Sequence, residues 1–284
     1  MTSALRPHRR VFAGVDGNRL VADVWGAGPP VLLLHGGGQT RHSWSEVARR
    51  LATLGRTAIA TDLRGHGDSD WSPDQTYPLH GYVRDLRAIC ATLGERPALV
   101  GASMGGIAAM LAVGESANGG VTLANCLVLV DVTPRMEESG VSRVREFMLA
   151  APDGFTSLDE AAEAIAAYLP GRPRPTHSDG LAKNLRRGDD GRYRWHWDPK
   201  ILDDLATDSA RRHELLRHGA RGVRVPTLLI HGGRSDVVSN QGVQELEELI
   251  PHAEVSEVSD AGHMVAGDDN EVFASAIVEF VARY

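Results

Sequence analysis

The chain has 284 residues, of which 42% are apolar and 24% are charged, with a formal net charge of −7 at pH 7. These values are ordinary for a globular protein and exclude a disordered chain, which would be poorer in apolar residues. The mild acidity, without any Lys/Arg-rich run, argues against a nucleic-acid partner. No apolar stretch is long enough to predict a membrane span. The basic N-terminal residues are followed by no apolar segment, so we expect no signal peptide and a cytoplasmic protein.

The first elements along the chain are predicted strands. Val11–Val15 and Leu20–Trp25 flank the turn sequence Asp16-Gly17, which predicts an antiparallel pair. Short apolar runs bounded by turn residues follow, and such runs are typical of buried parallel strands. These runs are Val31–Leu34, Thr57–Ala60, Ala98–Val100, Cys126–Val130 and Thr227–Ile230, followed by a strand at Ala253–Val258.

Helical patterns alternate with these strands. A capping box, Ser43-x-x-Glu46, predicts the start of a helix that runs to about Leu54. The other helical patterns lie at Leu79–Leu93, Met104–Ala112, Gln241–Ile250 and Glu271–Arg283. Strands alternating with helices predict an α/β fold, with a mostly parallel central sheet flanked by helices.

The alternation stops between Thr133 and Gly222. No buried-strand run occurs there, and the helical patterns are Val141–Ala150, Ser157–Leu169 with the capping box Ser157-x-x-Glu160, and Ser209–His218. We therefore predict a core domain made of residues 1–132 and 223–284. The residues between them, 133–222, are predicted to form an inserted helical cap, called the cap segment below.

The strongest chemical signal is the sequence Gly-Ala-Ser-Met-Gly at 101–105. It follows a predicted strand and precedes a helix of small residues, the context in which a sharp turn lifts a serine hydroxyl out of a sheet. Glycines beside the serine leave room for that turn, and the N-terminus of the helix offers N–H groups to a developing oxyanion. Ser103 is therefore the predicted nucleophile.

A serine nucleophile needs an adjacent base and a group that orients the base. His263 follows the strand Ala253–Val258 at the carboxyl edge of the sheet, where catalytic sites form, and is the predicted base. Asp236 follows Thr227–Ile230 by a short glycine-rich loop and is the predicted acid. Asp131, at the end of its own strand, is the rival for that role.

The glycine-rich sequence His35-Gly36-Gly37-Gly38 directly follows the strand Val31–Leu34. Glycine lets backbone N–H groups approach a tetrahedral oxyanion without obstruction. We assign the two donors of an oxyanion hole to Gly37 and Met104, with Gly38 as the alternative to Gly37.

Together these motifs resemble the capped serine hydrolases of the α/β-hydrolase fold superfamily. Their order matches: the His-Gly-Gly-Gly loop, Asp-Leu-Arg-Gly-His-Gly-Asp-Ser at 62–69, the serine turn, Asp236 and Gly262-His263. The resemblance spans about Val11–Asp131 and Val225–Tyr284. It implies the α/β-hydrolase fold and a triad in the order Ser103, Asp236, His263; in position and length, the cap segment resembles the helical caps of this superfamily.

A serine at the turn favours acyl transfer and argues against the related epoxide hydrolases and haloalkane dehalogenases, which use an aspartate there. The predicted reaction is hydrolysis of carboxylic esters of small to medium apolar substrates. Carbon–carbon bond hydrolases or lactonases of aromatic catabolism and cofactor-free haloperoxidases or perhydrolases are alternatives. The first of these typically continue the oxyanion loop as Gly-Pro-Gly, whereas this chain reads Gly38-Gln39-Thr40. A non-catalytic ligand-binding relative is the alternative of another class.

No sequence pattern for a metal or nucleotide cofactor is present, so we expect none. Trp195 and Trp197 in the cap segment are candidates to line the substrate pocket, and Met264, beside His263, is a third. The expected partner is a small-molecule ester. The oligomeric state stays open, with a homodimer as one alternative.

Overall fold

A computed structural model describes residues 6–168, 178–205, 209–259, 261–263 and 271–284. The strands are β1 His8–Ala13, β2 Arg19–Trp25, β3 Pro30–Leu34, β4 Thr57–Thr61, β5 Ala98–Ala102, β6 Cys126–Val130, β7 Leu185–Arg187, β8 Tyr193–Trp195, β9 Thr227–Gly232 and β10 Ala253–Val258. The helices are α1 Ser45–Thr53, α2 Leu79–Ala91, α3 Met104–Asn118, α4 Glu138–Leu149, α5 Leu158–Tyr168, α6 Ile201–Leu205, α7 Ser209–Gly222, α8 Asn240–Leu249 and α9 Glu271–Ala282.

Eight of the strands form one sheet in the order β1-β2-β4-β3-β5-β6-β9-β10. The pairs β1–β2 and β2–β4 are antiparallel, and every pair from β4 to β10 is parallel. The prediction of a mostly parallel α/β sheet is confirmed, and each predicted strand is present with small shifts at its ends. The strands β6 and β9, which flank the cap segment in the chain, are neighbours in the sheet.

The sheet buries both of its faces, which explains why its strands are apolar at consecutive positions. In β3, Leu32 and Leu34 pack in the core that also contains residues of α2, α3 and α7. Val31 and Leu33 point to the opposite face and share a second core with residues of α1 and α9. Side chains alternate across a strand, so a buried strand with a helical layer on each face needs no polar position.

The cap segment contains helices, but it also contains two short strands that the sequence pattern did not predict. Besides α4, α5, α6 and α7 it contains an antiparallel hairpin, β7–β8, around the turn at 189–191. Phe155 bridges Tyr193 on the outer side of the hairpin and extends its backbone hydrogen bonding. Strands of three residues are too short to be recognised from an apolar run.

The first capping box is also not formed. The residues Arg41–Trp44 make a 3-10 turn, and α1 begins after Trp44 without a side-chain cap. The second box is formed in part: the Ser157 hydroxyl accepts from the Glu160 N–H at 3.2 Å, while the Glu160 carboxylate accepts from the N–H of Thr156 instead of from that of Ser157.

Candidate active site

Ser103 stands at the turn between β5 and α3, in a conformation that few side chains adopt. Its φ is 44° and its ψ is −114°, a strained region for a residue with a Cβ. The turn is fixed on both sides, because the Ser103 N–H donates to the Val130 carbonyl at 2.9 Å and the Gly105 N–H donates to the His35 carbonyl at 3.1 Å. A Cβ at Gly105 would lie 2.6 Å from the Leu34 carbonyl oxygen, so only glycine fits there.

The Ser103 side chain is partly exposed, and no hydrogen bond joins its hydroxyl to another residue that the structure describes. Catalytic hydrogen bonds are often long or absent before substrate binds, so this geometry is compatible with a nucleophile that meets its base later. The backbone contact of Ser103 with Val130 brings the serine turn beside the end of β6, where Asp131 is the next residue.

His263 is paired with Asp131. The His263 Nδ1 and the Asp131 Oδ2 are 2.6 Å apart, and the two side chains are 8% and 1% exposed. Because the carboxylate only accepts, Nδ1 carries the hydrogen of this bond and Nε2 is left as the nitrogen that can take a proton. This is the tautomer that a general base beside a serine requires.

Asp131 is held by further contacts from the loop that follows β9. Its φ is 47°, and its N–H donates to the Ile230 carbonyl at 2.7 Å. The Oδ1 accepts from the Gly232 N–H at 2.9 Å, and the Oδ2 accepts from the Ser235 hydroxyl at 2.6 Å. Each carboxylate oxygen is thus bonded, which compensates the burial of a charge.

The structure contradicts the prediction that Asp236 is the acid beside His263. Asp236 follows Ser235 directly, but its carboxylate pairs with Arg143 of α4 at 3.0 Å and is about one-third exposed. In this loop the Ser235 side chain faces Asp131, whereas the Asp236 side chain faces α4 of the cap segment. The rival position named from the sequence, Asp131 at the end of β6, is the one that the fold places against the imidazole.

The glycine loop after β3 lies beside the serine turn. A Cβ at Gly36 would be 3.2 Å from the Ser103 Cβ. The Gly36 N–H donates to the Gln39 side chain at 2.9 Å, and the Gly38 N–H donates to His66 Nε2 at 3.3 Å. Within the described part of the chain, no hydrogen bond engages the Gly37 N–H. Of the three glycines, Gly37 is therefore the one whose donor remains available.

Two buried histidines, His35 and His66, support this loop from behind. The Nε2 of His35 accepts from the Leu63 N–H at 3.0 Å, and the rings of His35 and His66 meet edge to face with centroids 5.0 Å apart. Burial lowers the pKa of His35 to about 4 and that of His66 to about 3. Both rings are therefore neutral near pH 7 and serve as hydrogen-bond partners of the backbone.

The cap segment reaches the same loop with Met148 and Trp197. A Cβ at Gly37 would be 3.5 Å from the Met148 Sδ, and one at Gly38 would be 3.5 Å from the Trp197 ring. The two cap residues are themselves joined, because the Trp197 indole N–H donates to the Met148 carbonyl at 3.3 Å. Both are almost fully buried, so they form an apolar wall against the glycine loop.

The remaining residues predicted to line the substrate pocket are Trp195 and Met264. Trp195 stacks on Trp197 at a centroid distance of 4.8 Å and is the more exposed of the two. Met264 lies outside the described residues. Sequence reasoning missed Met148, because nothing in a helical pattern distinguishes a residue facing the core from one facing a ligand.

His196 is a second residue that sequence reasoning missed. Its Nδ1 accepts from the Gly67 N–H at 2.7 Å, and its ring lies 5.9 Å from that of His66. Burial holds the pKa of His196 well below its usual value. The cap segment is thus hydrogen-bonded to the loop that carries His66, across a sequence separation that no local pattern reveals.

The described residues contain neither a candidate metal centre nor a candidate membrane-spanning helix. Among the described residues, no group of three or more His, Cys, Asp or Glu side chains is arranged to hold a metal ion. In the same residues, no helix combines the length and the apolar character needed to cross a membrane.

Comparison with known proteins gives consistent matches across most of the chain. The family model described as alpha/beta hydrolase fold matches residues 29–269. Esterase Rv0045c of Mycobacterium tuberculosis is 30% identical over 264 residues, which cover 90% of this chain and 82% of that protein. N-formylmaleamate deformylase of Pseudomonas putida is 31% identical over 264 residues, which cover 90% of each. The crystal structure of E-2-(acetamidomethylene)succinate hydrolase has a TM-score of 0.83 at 24% identity, covers 97% of this chain and 99% of that chain, and shares the fold.

Proposed function

The chain belongs to the α/β-hydrolase fold family, and from that premise we propose that it is a serine hydrolase cleaving carboxylic esters of small to medium apolar substrates. The observation that carries the proposal is the 2.6 Å contact between His263 Nδ1 and Asp131 Oδ2, beside a serine held in a strained turn. The proposed triad is Ser103, His263 and Asp131. The proposed partner is a small-molecule ester and the proposed compartment is the cytoplasm.

In the proposed reaction the Ser103 hydroxyl attacks the ester carbonyl while His263 Nε2 takes its proton. Asp131 stabilises the imidazolium that forms. The tetrahedral intermediate collapses to an acyl-enzyme, and the leaving alcohol receives the proton from His263. Water, activated by the same histidine, then attacks the acyl carbonyl and releases the acid.

Gly37 and Met104 are the proposed donors of the oxyanion hole. The N–H groups of Gly36 and Gly38 are already engaged, which supports Gly37 over its neighbour Gly38. Met104 is the first residue of α3, where backbone N–H groups have no partner within the helix. Two such donors typically contribute several kcal/mol to transition-state stabilisation, about 3 kcal/mol each.

An apolar substrate is favoured by the wall that the cap segment places over this loop. Met148 and Trp197 are 4% and 2% exposed and lie against Gly37 and Gly38. An acyl group bound with its carbonyl oxygen at the glycine loop would contact a thioether and an indole ring. Burial of apolar surface there would contribute about 25 cal/mol per Å².

Hydrolysis of a carboxamide is a second candidate, because a deformylase is 31% identical over 90% of both chains. The same residues would serve, with a leaving group that His263 protonates on nitrogen instead of on oxygen. Esters remain the first proposal because an esterase matches over a similar share of the chain.

The test is hydrolysis of p-nitrophenyl esters of increasing acyl length, with an N-formyl amide in the same panel. The wild type, Ser103→Ala and the matched control Ser116→Ala, at the far end of α3, are compared. We expect turnover in the wild type and the control, and none in Ser103→Ala. A folded wild type that hydrolyses no ester would overturn the proposal, and turnover of the amide alone would establish the second candidate.

A further inference from the structure

Ser235 occupies the loop after β9, one residue before the position at which the sequence predicted the acid. Its hydroxyl oxygen accepts from the N–H of Val237 at 3.2 Å and of Val238 at 3.1 Å. A hydroxyl has two acceptor positions and one hydrogen. With both acceptor positions used, the hydrogen has a single direction left, and Asp131 Oδ2 lies there at 2.6 Å.

The same carboxylate oxygen, Asp131 Oδ2, also accepts a hydrogen bond from His263 Nδ1 at 2.6 Å. The Ser235 hydroxyl and the imidazole therefore share one oxygen, while the other oxygen is held by the Gly232 N–H at 2.9 Å. A carboxylate held at both oxygens cannot rotate. The hydroxyl also takes part of the negative charge that would otherwise face the imidazole.

We propose that Ser235 is a positioning residue of the triad, whose hydroxyl fixes the Asp131 carboxylate toward His263. The inference rests on the proposed function for its effect on turnover. In this proposal the loop after β9 contributes the Ser235 hydroxyl as a hydrogen-bond donor to Asp131, and it does not contribute the triad acid. The neighbouring charges, Asp236 and Arg143, pair with each other toward α4. Among the described residues, the Asp131 carboxylate is contacted by a neutral N–H donor, a neutral O–H donor and the imidazole.

The variants are Ser235→Ala, which removes the donor, and Ser235→Thr, which keeps it. Ser239→Ala is the matched control, because Ser239 lies in the same loop, caps α8 and bonds to Glu137 at 2.6 Å without touching Asp131. If Ser235→Ala does not fold, Ser235→Cys, a weak donor of similar size, replaces it. Each variant is compared with the wild type by kcat and KM over pH on p-nitrophenyl acetate.

We expect Ser235→Ala to lower kcat by about ten- to a hundredfold, the range for a hydrogen bond to a charged group, with little change in KM. The acid limb of the kcat/KM profile should move to higher pH, because charge no longer shared with the hydroxyl holds the imidazolium more tightly. Ser235→Thr should restore both quantities, and Ser239→Ala should change neither.

A second measurement does not depend on turnover. The ring nitrogen signals of His263 are followed by NMR across pH in the wild type and in Ser235→Ala, and we expect the midpoint to move to higher pH in the variant. An unchanged midpoint and kcat in Ser235→Ala would overturn the inference while leaving the proposed function intact. A wild type that is inactive on every ester contradicts the function, and the NMR midpoint then decides the role of Ser235 alone.

Discussion

Two residues at the edge of the sheet hold a left-handed backbone although both carry a Cβ. Ser103 has a φ of 44° and Asp131 a φ of 47°. Such conformations cost roughly 1–3 kcal/mol each and persist where the surrounding structure fixes them. The Ser103 and Asp131 N–H groups both donate to carbonyls of neighbouring strands, which is the fixing contact in each case. Two of the three residues of the proposed triad are thus also strained positions of the backbone.

This strain predicts opposite effects of one substitution on stability and on activity. Ser103→Gly should be more stable than Ser103→Ala by about 1 kcal/mol, because glycine adopts a positive φ without penalty. Both variants should be inactive on esters. Urea unfolding measures the difference, with Ser116→Gly in α3 as a control that should lose stability instead. Equal stability of the glycine and alanine variants at position 103 would contradict the assignment of strain.

A second prediction at this scale separates the two aspartates. Asp131→Asn should lower kcat on p-nitrophenyl acetate by about 10⁴-fold, the loss expected when the acid of such a triad becomes its amide and the imidazole tautomer is no longer fixed. Asp236→Asn, the matched control, should keep kcat within a few-fold of the wild type, because its carboxylate faces Arg143. A large loss of kcat in Asp236→Asn and a small one in Asp131→Asn would instead identify Asp236 as the triad acid.

Sequence reasoning identified Ser103 and His263 because each is embedded in a local pattern of strand, turn and glycine. It chose Asp236 because a short glycine-rich loop joins it to a buried strand, although Asp131 also follows a buried strand and both aspartates lie between Ser103 and His263 in the chain. The deciding contact joins residues 131 and 263. A contact of that kind depends on which way a loop turns its side chains, and the sequence around 232–236 contains no signal for that.

At the scale of elements, the cap segment and the glycine loop form one contact surface. Met148 at the end of α4 and Trp197 after β8 meet over Gly37 and Gly38. The cap segment also forms two hydrogen bonds to the backbone of Gly67. The Arg186 side chain donates to the Gly67 carbonyl, and His196 Nδ1 accepts from the Gly67 N–H. Core and cap elements therefore jointly form the wall beside the glycine loop, where we propose that the acyl group binds.

This surface predicts which side chain limits acyl length. Met148→Ala should shift the preferred p-nitrophenyl ester to a longer acyl chain, because the thioether lies 3.5 Å from the position of a Cβ at Gly37. The substitution should also destabilise the fold by roughly 2–5 kcal/mol, as expected for a buried methionine. Leu149→Ala, the exposed next residue, is the matched control. An unchanged preference for acyl length in Met148→Ala would show that Met148 does not line the position where the acyl group is proposed to bind.

The strands were predictable from sequence because their apolar runs, such as Cys126–Val130, reflect burial on both faces. The hairpin β7–β8 was not, since three-residue strands are defined by pairing across the turn and by the bridge between Phe155 and Tyr193. The 3-10 turn at Arg41–Trp44 displaced the predicted capping box for a related reason. There the Arg41 side chain is drawn inward to Asp62, with which it forms a buried ion pair at 2.5 Å, and that long-range contact overrides a local preference.

For the whole molecule, the buried neutral histidines make stability depend on pH. The pKa of His35 is lowered to about 4 and that of His66 to about 3, against about 6.5 in the unfolded chain. At pH values between the native and unfolded pKa, the histidines are protonated in the unfolded state and neutral in the native state. The free energy of unfolding therefore falls as the pH falls below about 6.5. The slope reaches at most about 1.4 kcal/mol per pH unit for each histidine.

Urea unfolding at about pH 7 and about pH 5 tests this expectation. His66→Gln keeps an acceptor for the Gly38 N–H and removes one titrating group, so its loss of stability between the two pH values should be smaller than in the wild type. His8→Gln, at an exposed position of β1, should follow the wild type. An identical pH dependence in all three proteins would contradict the assignment of His66 as a buried neutral ring.

The proposed function depends above all on Ser103 being a nucleophile that His263 and Asp131 activate. Its most direct test is the rate at which a fluorophosphonate probe modifies the wild type, Asp131→Asn and Asp236→Asn, with the modified peptide identified by mass spectrometry. We expect modification at Ser103, at similar rates in the wild type and Asp236→Asn and far more slowly in Asp131→Asn. Modification at another residue, or equal rates in the two aspartate variants, would contradict it.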